Sequence, residues 1–337
     1  MSALVRSALL HTLPSILSEH NINVAGFMAL CKLESDWLVN AEKLVPLALV
    51  VEALEQAAQV CQLPCIGLYM AEARRLDDIG DIFRVARVAP TFLDALQDFC
   101  EYCQIISPAI CAVLRIDEDR DRVYFYLDIN LDIQVTIVQI IEYAISLSCK
   151  VYQALGPPDS GPEAICFRHS PRVNTLDYAN YFGVPVSFRQ SLNAVEFKLG
   201  ALRRPMPSYN YAMYFQLRDK LMHTRRQVHR FEQDVRNQVR LLILMSECHL
   251  DTLAQRYQLH ARTFQRQLAR AGLTFTGLVD AARKQLFSEM VLDTRMGFGV
   301  ISQALGYANQ STLHKACLRW FGMTPRELRK SGKTALS

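Results

Sequence analysis

The sequence contains no uninterrupted apolar run close to the roughly 18 residues that a membrane-spanning helix needs. The N-terminal stretch ALVRSALLHTLPSIL is apolar, but it has a single basic residue, a proline and no small-residue cleavage site. It therefore differs from a secretory signal peptide, and we predict a packed helix instead. The 337-residue chain is 50% hydrophobic and 21% charged. This composition is typical of a globular cytoplasmic protein long enough for two domains.

Motifs of the common enzyme classes are also missing. The sequence has no glycine-rich phosphate loop, no histidine pair at metal-binding spacing and no serine in a nucleophile elbow. Asp77, Asp78 and Asp81 could share one helix face as paired carboxylates. Such acids more often favour a helix N-terminus or a solvated surface. We predict that the protein is not an enzyme and has no catalytic residues, cofactor or metal site.

The ten cysteines are scattered through apolar stretches, as is typical of reduced thiols in a cytosol. Cys100 and Cys103 have the spacing of a redox or metal-binding pair, but no second pair of Cys or His lies near them. We interpret them as two small hydrophobic residues on one helix.

Acidic residues are scarce in the C-terminal part. From Arg203 to Ser337 there are 22 Lys+Arg and 9 Asp+Glu, which leaves 15 basic and 24 acidic residues of the totals of 37 and 33 for the first 202 positions. The net charge of +4 therefore combines a balance of +13 with one of −9. Such asymmetry indicates a polyanion-binding C-terminal part, with nucleic acid or a membrane surface as candidates.

Periodicity and turn residues predict a mixed N-terminal part followed by helices only. Helices are predicted near 3–18, 44–60, 91–106, 132–154 and 175–182, and strands at 109–116, 123–127, 164–169, 184–188 and 194–199. The first two strands form a hairpin, and Pro157–Pro162 is a surface loop. We predict an α+β domain with a small antiparallel sheet at 1–205, a helical linker at 206–230 and an all-α domain at 231–332.

Two similar helix–turn–helix patterns follow one another in the basic part. LDTLAQRYQLHARTFQRQLARAG begins at Leu250, and ISQALGYANQSTLHKACLRWFGMTP begins at Ile301. Ile301 lies 48 residues after Leu253, and Leu313 lies 49 residues after Phe264. The apolar positions therefore repeat, with one extra residue in the second turn. A single pattern of this kind would also fit an ordinary helix corner, whereas two with matched spacing indicate a duplicated unit.

Each unit has a small residue where its helices cross, Ala254 or Ser302, and Gly306 allows the sharp corner of the second unit. The second helix of each unit has an outward face without acids. These faces carry Arg262, Gln265, Arg266 and Arg270 in the first unit and Gln310, Ser311, His314, Lys315 and Arg319 in the second. Arg, Gln and Lys hydrogen-bond to base edges or phosphates in the major groove. We predict that both faces bind double-stranded DNA.

The segment Phe275–Asp293 predicts one connecting helix with Thr274 as its N-cap. Neighbouring major-groove faces lie about 34 Å apart, so a rigid connection lets one chain reach two of them. Further along, Gly322 predicts a left-handed helix end, Thr324 a cap and Pro325 the start of a last short helix.

The stretch GYANQSTLHKACLRWFGMTP resembles the closing signature of AraC/XylS-type transcriptional regulators. HARTFQRQLARAGLTF, YFGVPVSF at 181–188 and NAVEF at 193–197 are similar to the branch with an arabinose-binding-type N-terminal domain, to which ornithine-utilisation regulators belong. The resemblance covers nearly the whole chain. His260 departs from the usual serine helix cap, and Cys317 departs from the usual phenylalanine.

The resemblance implies a DNA-binding transcriptional regulator, here expected to be an activator, with an effector-sensing and dimerising N-terminal domain. The family's base-reading positions map onto Arg262, Gln265 and Arg266 in the first unit and onto Gln310, Ser311, His314 and Lys315 in the second. Expected partners are promoter DNA, RNA polymerase, a small-molecule effector and a second copy of the chain, near the nucleoid of a bacterial cytoplasm. Two alternatives stay open for the N-terminal domain: dimerisation or partner contact alone, and redox sensing through cysteines.

Overall fold

The computed structural model describes residues 3–131, 136–157, 161–228, 230–292 and 296–334. The start of the helix predicted at 132–154, the middle of the loop predicted at 157–162 and Asp293 of the predicted connecting helix lie outside these ranges.

The strands of the described residues are β1 (Leu4–Arg6), β2 (Leu44–Pro46), β3 (Ile110–Asp117), β4 (Arg122–Ile129), β5 (Ala164–Cys166), β6 (Val186–Ser187) and β7 (Ala194–Lys198). The α-helices of the first part are α1 (Leu13–Glu19), α2 (Val24–Leu30), α3 (Leu47–Val60), α4 (Ile66–Ala73), α5 (Asp81–Arg87), α6 (Phe92–Tyr102), α7 (Val138–Leu155), α8 (Thr175–Phe182) and α9 (Leu199–Leu202). Those that follow are α10 (Tyr211–Val228), α11 (Phe231–Leu244), α12 (Leu250–Arg256), α13 (Ala261–Arg270), α14 (Phe275–Leu292), α15 (Phe298–Ala304), α16 (Gln310–Phe321) and α17 (Pro325–Thr334). Short 3-10 helices lie at Ser7–Leu10, Ser35–Leu38, Leu76–Ile79 and Cys103–Ile105.

The predicted α+β fold class is confirmed, and the main sheet has the strand order β3-β4-β7-β5-β6 among the described residues. The predicted hairpin is present, with Ile110 opposite Ile129 and Asp117 opposite Arg122. The strand pairs of this sheet are antiparallel except β5–β6, which is parallel. The described residues after 208 form helices and no strand, as predicted.

The helix predicted at 3–18 is wrong in its first half. Residues Leu4–Arg6 instead form β1, which pairs antiparallel with β2. The pairing partner is about 40 residues away, so helical periodicity near the N-terminus carries no sign of it. Helix α1 begins only at Leu13, with Pro14 in its first turn, where the missing N–H costs nothing. The prediction at 44–60 shares this error, since its first residues form β2.

The first hydrophobic core lies between the sheet and helices α3, α6 and α7. Helix α10 packs on the outside of this core through Tyr214 and Leu221, which are buried. The Tyr214 hydroxyl donates to Asp98 Oδ2 at 2.7 Å, and Arg218 Nε donates to Asp98 Oδ1 at 2.8 Å. The segment predicted as a linker is therefore a helix fastened to the N-terminal part along much of its length.

The second hydrophobic core is formed by α11 to α16, with partly buried residues of α17 packed against it. Phe264 and Phe287 are fully buried in it. Each such side chain stabilises the fold by about 1.5–3 kcal/mol relative to an exposed position. Helix α14 crosses this core and contacts α11, α15 and α17. It begins where predicted, because Thr274 Oγ1 accepts a hydrogen bond from Gly277 N at 3.2 Å.

Candidate nucleic-acid interface

The first helix–turn–helix unit consists of α12 and α13. Leu253 and Ala254 of α12 are buried against Phe264 and Leu268 of α13, which confirms the predicted apolar pattern and the small residue at the crossing. The Tyr257 ring stacks on Phe264 with 4.9 Å between centroids. These contacts bury one side of α13 and leave its other side in solvent.

The second unit, α15 and α16, repeats this arrangement with Ile301, Ser302, Leu313 and Cys317 buried. Gly306 has φ +69° at the corner, a left-handed conformation that glycine adopts without steric cost. Past the helix, Gly322 ends α16 with φ +69°, as predicted. Thr324 and Glu327 then cap α17 by reciprocal hydrogen bonds, so the predicted cap is present too.

Arg283 of the connecting helix α14 holds the corner of the second unit, a role that no pattern in the sequence indicates. Its Nε donates to Leu305 O at 2.9 Å, and its Nη2 donates to Gly306 O at 3.2 Å. The guanidinium also lies 4.6 Å from the centroid of the Tyr307 ring. Such a contact adds cation–π attraction to the hydrogen bonds, so α14 fixes the second unit directly.

The two outward-facing helices begin differently. Asn309 Oδ1 accepts a hydrogen bond from Thr312 N at 2.9 Å at the start of α16. At the start of α13, His260 is the N-cap residue but its side chain makes no cap hydrogen bond. This agrees with the departure of His260 from the family's serine.

The nine predicted DNA-binding residues are all exposed and lie on the outward sides of α13 and α16. Seven of them make no side-chain hydrogen bond or ion pair with any described residue, namely Arg262, Gln265, Arg266, Arg270, Gln310, Ser311 and Lys315. Neither helix contains an aspartate or glutamate. The two surfaces therefore present donors and positive charge that the described chain does not neutralise.

The two remaining residues have neighbours within the chain. Arg319 forms an ion pair with Asp280 of α14, whose other oxygen accepts a hydrogen bond from Trp320 Nε1 at 3.1 Å. His314 lies close enough to Glu327 to contribute to the lowered pKa of that carboxyl, after the larger effect of the hydrogen bonds from Thr324. Arg319 is thus held at the edge of the surface.

Models of two protein families match this chain in sequence. The arabinose-binding domain of AraC transcription regulators matches residues 22–206, more than half of the chain, and a helix-turn-helix domain matches residues 253–331. The chain belongs to the AraC family of transcriptional regulators. It is an AraC-type regulator with a DNA-binding helix–turn–helix region and an arabinose-binding-type N-terminal domain, as the sequence resemblance implied.

Individual relatives of this AraC-family chain are similar over most of their length. The chain is 26% identical to the HTH-type transcriptional regulator VirS of Mycobacterium tuberculosis (strain ATCC 25618 / H37Rv), over 85% of this chain and 84% of that protein. It is 23% identical to the ornithine utilization regulator of Pseudomonas aeruginosa, over 82% and 81% respectively. The crystal structure of the transcriptional regulator CdpR from Pseudomonas aeruginosa is 18% identical, has a TM-score of 0.44 and covers 91% of this chain and 96% of that one.

The AraC-type chain also contains a buried ionic cluster between its two halves, which sequence reasoning missed. Arg168 Nη1 and Arg240 Nε donate to Asp128 Oδ2 at 3.0 and 2.8 Å. Arg240 also donates to both carboxylate oxygens of Glu289, at 3.0 and 2.6 Å. Burial would raise the pKa of Asp128, but the two guanidinium groups outweigh it and hold the pKa below its usual value.

This cluster joins the sheet to α11 and α14, and removing one partner from such a buried pair typically costs about 3–5 kcal/mol. One signal in the sequence could have revealed it. Asp128 and Arg240 each interrupt an apolar run, YFYLDINL and VRLLIL. A charge in such a run is rarely buried without a partner.

The other sites weighed in the sequence carry no comparable arrangement. Asp77 and Asp78 are exposed, and Asp81 pairs with Arg84 and Lys220, as expected of a solvated surface. The described residues contain no cluster of three or more metal-ligating side chains. Within the same ranges, none of the helices has both the length and the apolar character to cross a membrane.

Proposed function

We propose that this AraC-family chain is a sequence-specific regulator of transcription that reads promoter DNA with α13 and α16. The observation that carries the proposal is the pair of exposed, acid-free faces on which seven of the nine predicted side chains make no hydrogen bond or ion pair with a described residue. The buried ionic cluster pairs two arginines with two carboxylates. The donors of these seven side chains have no such partners and are available to a polyanion.

The side chains divide into two kinds by their chemistry. Arg262 and Arg266 suit bidentate bonds to guanine, and Gln265 and Gln310 suit adenine. Lys315, at one of the family's base-reading positions, also suits guanine. Arg270, the last residue of α13, suits phosphate contacts that set position rather than sequence. Helix α14 is common to the second core and fastens the corner of the second unit through Arg283, which supports a fixed separation of the two reading helices.

An operator is first selected from a random DNA library. The test is then a titration of this operator with the full chain, in which binding is measured by fluorescence anisotropy. Arg266→Ala should weaken operator binding by about 1–3 kcal/mol, roughly 5- to 150-fold, if it makes a bidentate base contact. Arg75→Ala, an exposed arginine of the N-terminal part, is the matched control and should bind as wild type does. Equal affinity of Arg266→Ala and wild type at several salt concentrations would exclude α13 as a reading helix.

For the N-terminal part we propose the division predicted from the sequence, with 1–205 sensing a small-molecule effector and forming a homodimer, 206–230 connecting, and 231–332 binding DNA. Redox sensing has less support than effector binding. Burial raises the pKa of all ten cysteine thiols, and the reactive form is the thiolate. Sedimentation of the full chain tests the dimer, and a monomer at micromolar concentration would contradict it.

The same proposal places the protein in a bacterial cytoplasm, on nucleoid DNA, with RNA polymerase as its protein partner at activated promoters. Transcription in vitro from a promoter that contains the selected operator tests this part. An activator should raise the transcript yield of purified RNA polymerase. Repression of the same promoter would contradict the activator role and leave the DNA-binding proposal intact.

A further inference from the structure

The N-terminal core contains an apolar cavity of about 150 Å³ between the β3–β4 hairpin and helices α5, α6 and α7. Phenylalanine and aliphatic side chains form most of its wall, and none of its lining residues is charged. Its polar lining residues are Ser107, Tyr143 and Ser148. Ser148 Oγ is already engaged, since it donates to Ala144 O at 2.8 Å.

The size and lining of the cavity select a class of guest. An apolar protein cavity of about 150 Å³ stays dry and takes a molecule the size of benzene. Sugars, amino acids and polyamines would bury hydroxyl or charged groups here without hydrogen-bond partners, which is strongly unfavourable. Phe99 and Phe125 meet edge to face in the wall with 5.6 Å between ring centroids, an arrangement that a further aromatic ring can extend.

The wall of the cavity is also the surface that contacts the DNA-binding half. Ile106, Ser107 and Ile110 line the cavity. Between them, Pro108 O accepts a hydrogen bond from Asn237 Nδ2 of α11 at 2.7 Å. Just before them, Gln104 Nε2 donates to Asp234 Oδ1 of α11 at 2.5 Å. Gln104 and Pro108 each lie within two positions of a residue that lines the cavity. A guest that displaces residues 104–110 therefore disturbs their hydrogen bonds to α11.

The end of β4 repeats this relation on another wall. Ile129 lines the cavity, while the next residue, Asn130, donates from Nδ2 to Asn237 Oδ1 at 2.8 Å. The preceding residue, Asp128, belongs to the buried ionic cluster with Arg240 of α11. Asn237 thus donates a hydrogen bond to Pro108 beside one wall of the cavity and accepts one from Asn130 beside another wall.

We infer that this cavity is the effector site and that the effector is a small apolar molecule about the size of one aromatic ring. The inference rests on the proposed function, since it names the ligand class of the proposed sensing domain. Occupation of the cavity shifts residues 104–110 and the end of β4, and thereby changes the contacts of α11 and the operator affinity of the two reading helices.

Binding is tested on the full chain with toluene as the probe and with L-arabinose and L-ornithine as polar comparisons. Ala144→Leu fills the cavity from α7, and Ala154→Leu makes the same change at an exposed position of α7. Toluene should raise the Tm of wild type and of Ala154→Leu, because a ligand that binds only the native state stabilises it. It should have no effect on Ala144→Leu, and the two polar compounds should have none on any variant.

Should Ala144→Leu fail to fold, toluene contacts are read from wild type alone by nuclear Overhauser effects to the methyl groups of Leu147 and Ile110, which line the cavity. Toluene that raises no Tm and gives no such contacts overturns the inference. A Tm increase with arabinose or ornithine that Ala144→Leu abolishes overturns the ligand class.

Coupling is tested by operator titration with and without toluene. Operator affinity should change at least fivefold in wild type, the usual lower limit of allosteric coupling. Asn237→Ala should still bind toluene but lose most of that response. Bound toluene with unchanged operator affinity in wild type overturns the effector role. Loss of operator binding in both conditions would instead overturn the proposed function, so the two failures are distinguishable.

Discussion

The two helix–turn–helix units share a backbone arrangement. They differ in the contacts that hold each unit in place and in the charge of their outward faces. In the first, the N-cap residue His260 of the outward-facing helix α13 makes no side-chain cap hydrogen bond, and the helix presents three unpaired arginines. The second begins at Asn309 with a cap and presents Gln310, Ser311, His314 and Lys315, with Arg319 held by Asp280.

The contacts that hold the two units in place involve different helices. Tyr257 of the first unit donates from its hydroxyl to Asp234 Oδ2 at 2.7 Å, and Asp234 Oδ1 accepts from Gln104 of the N-terminal part. The second unit is fastened through Arg283 of α14, within its own domain. Helix α14 is itself bonded to the N-terminal part, since Arg168 Nη2 donates to Glu289 Oε2 at 3.0 Å and Gln285 Nε2 donates to Leu131 O at 2.5 Å. A structural change in the N-terminal part therefore reaches the first unit through α11 and the second unit through α14. The two units therefore share one backbone arrangement but depend on different helices, the first on α11 and the second on α14.

The largest expected effect comes from overfilling the crossing of the first unit. Ala254 is 1% exposed, so Ala254→Leu should destabilise the unit by about 3 kcal/mol through overpacking. Ser302→Leu should do the same in the second unit, because the crossing geometry is shared. Urea unfolding and operator titration measure the effect. Gln255→Leu, at the exposed neighbouring position, is the control. Equal stability of Ala254→Leu and this control would contradict close packing at the helix crossing.

Removing the hydroxyl that links the first unit to Asp234 should have the next largest effect. Tyr257→Phe should cost about 2 kcal/mol, because a hydrogen bond to a buried carboxylate is lost. Tyr307→Phe is the matched change in the second unit and should cost little, since the ring that faces Arg283 is kept. Hydrogen exchange of the amides in α13 and α16 reports each unit separately. Comparable losses of protection in both variants would contradict the difference in fastening.

The N-caps should have a smaller effect on stability, and here the second unit should lose more than the first. Asn309→Ala should destabilise α16 by about 1 kcal/mol, as for other side-chain N-caps. His260→Ala should change the stability of α13 much less, because His260 makes no cap hydrogen bond. The measurement is the urea midpoint of each variant. A larger loss for His260→Ala would mean that the imidazole contributes at this position in some other way.

The smallest expected effect concerns the corners. Gln258 adopts φ +55° in the first unit where Gly306 adopts φ +69° in the second. Gln258→Gly should stabilise the first unit by about 0.5 kcal/mol, because relief of left-handed strain slightly exceeds the added chain entropy. Gly306→Ala is the reverse change and should destabilise, and calorimetric Tm values resolve both signs. A lower Tm for Gln258→Gly would show that the glutamine side chain stabilises its corner.

Local sequence determined most of the C-terminal domain. Caps, corners and apolar spacing act within a few residues, so Asn309, Gly306 and Gly322 could be interpreted without knowing the rest of the fold. The outward faces followed from the same periodicity, because a helix that buries one side must expose the other. The family signature lies in these same residues.

Tertiary structure alone decided the features that depend on distant pairing. Leu4–Arg6 is a strand only because Leu44–Pro46 lies beside it, and hydrogen bonds between segments leave no local periodicity. Asp128 and Arg240 are 112 residues apart, and each is intelligible as a buried charge only once the other is in contact with it. The apolar cavity is likewise a space left between helices and a sheet, and composition fixes that a core exists but not where its packing leaves room.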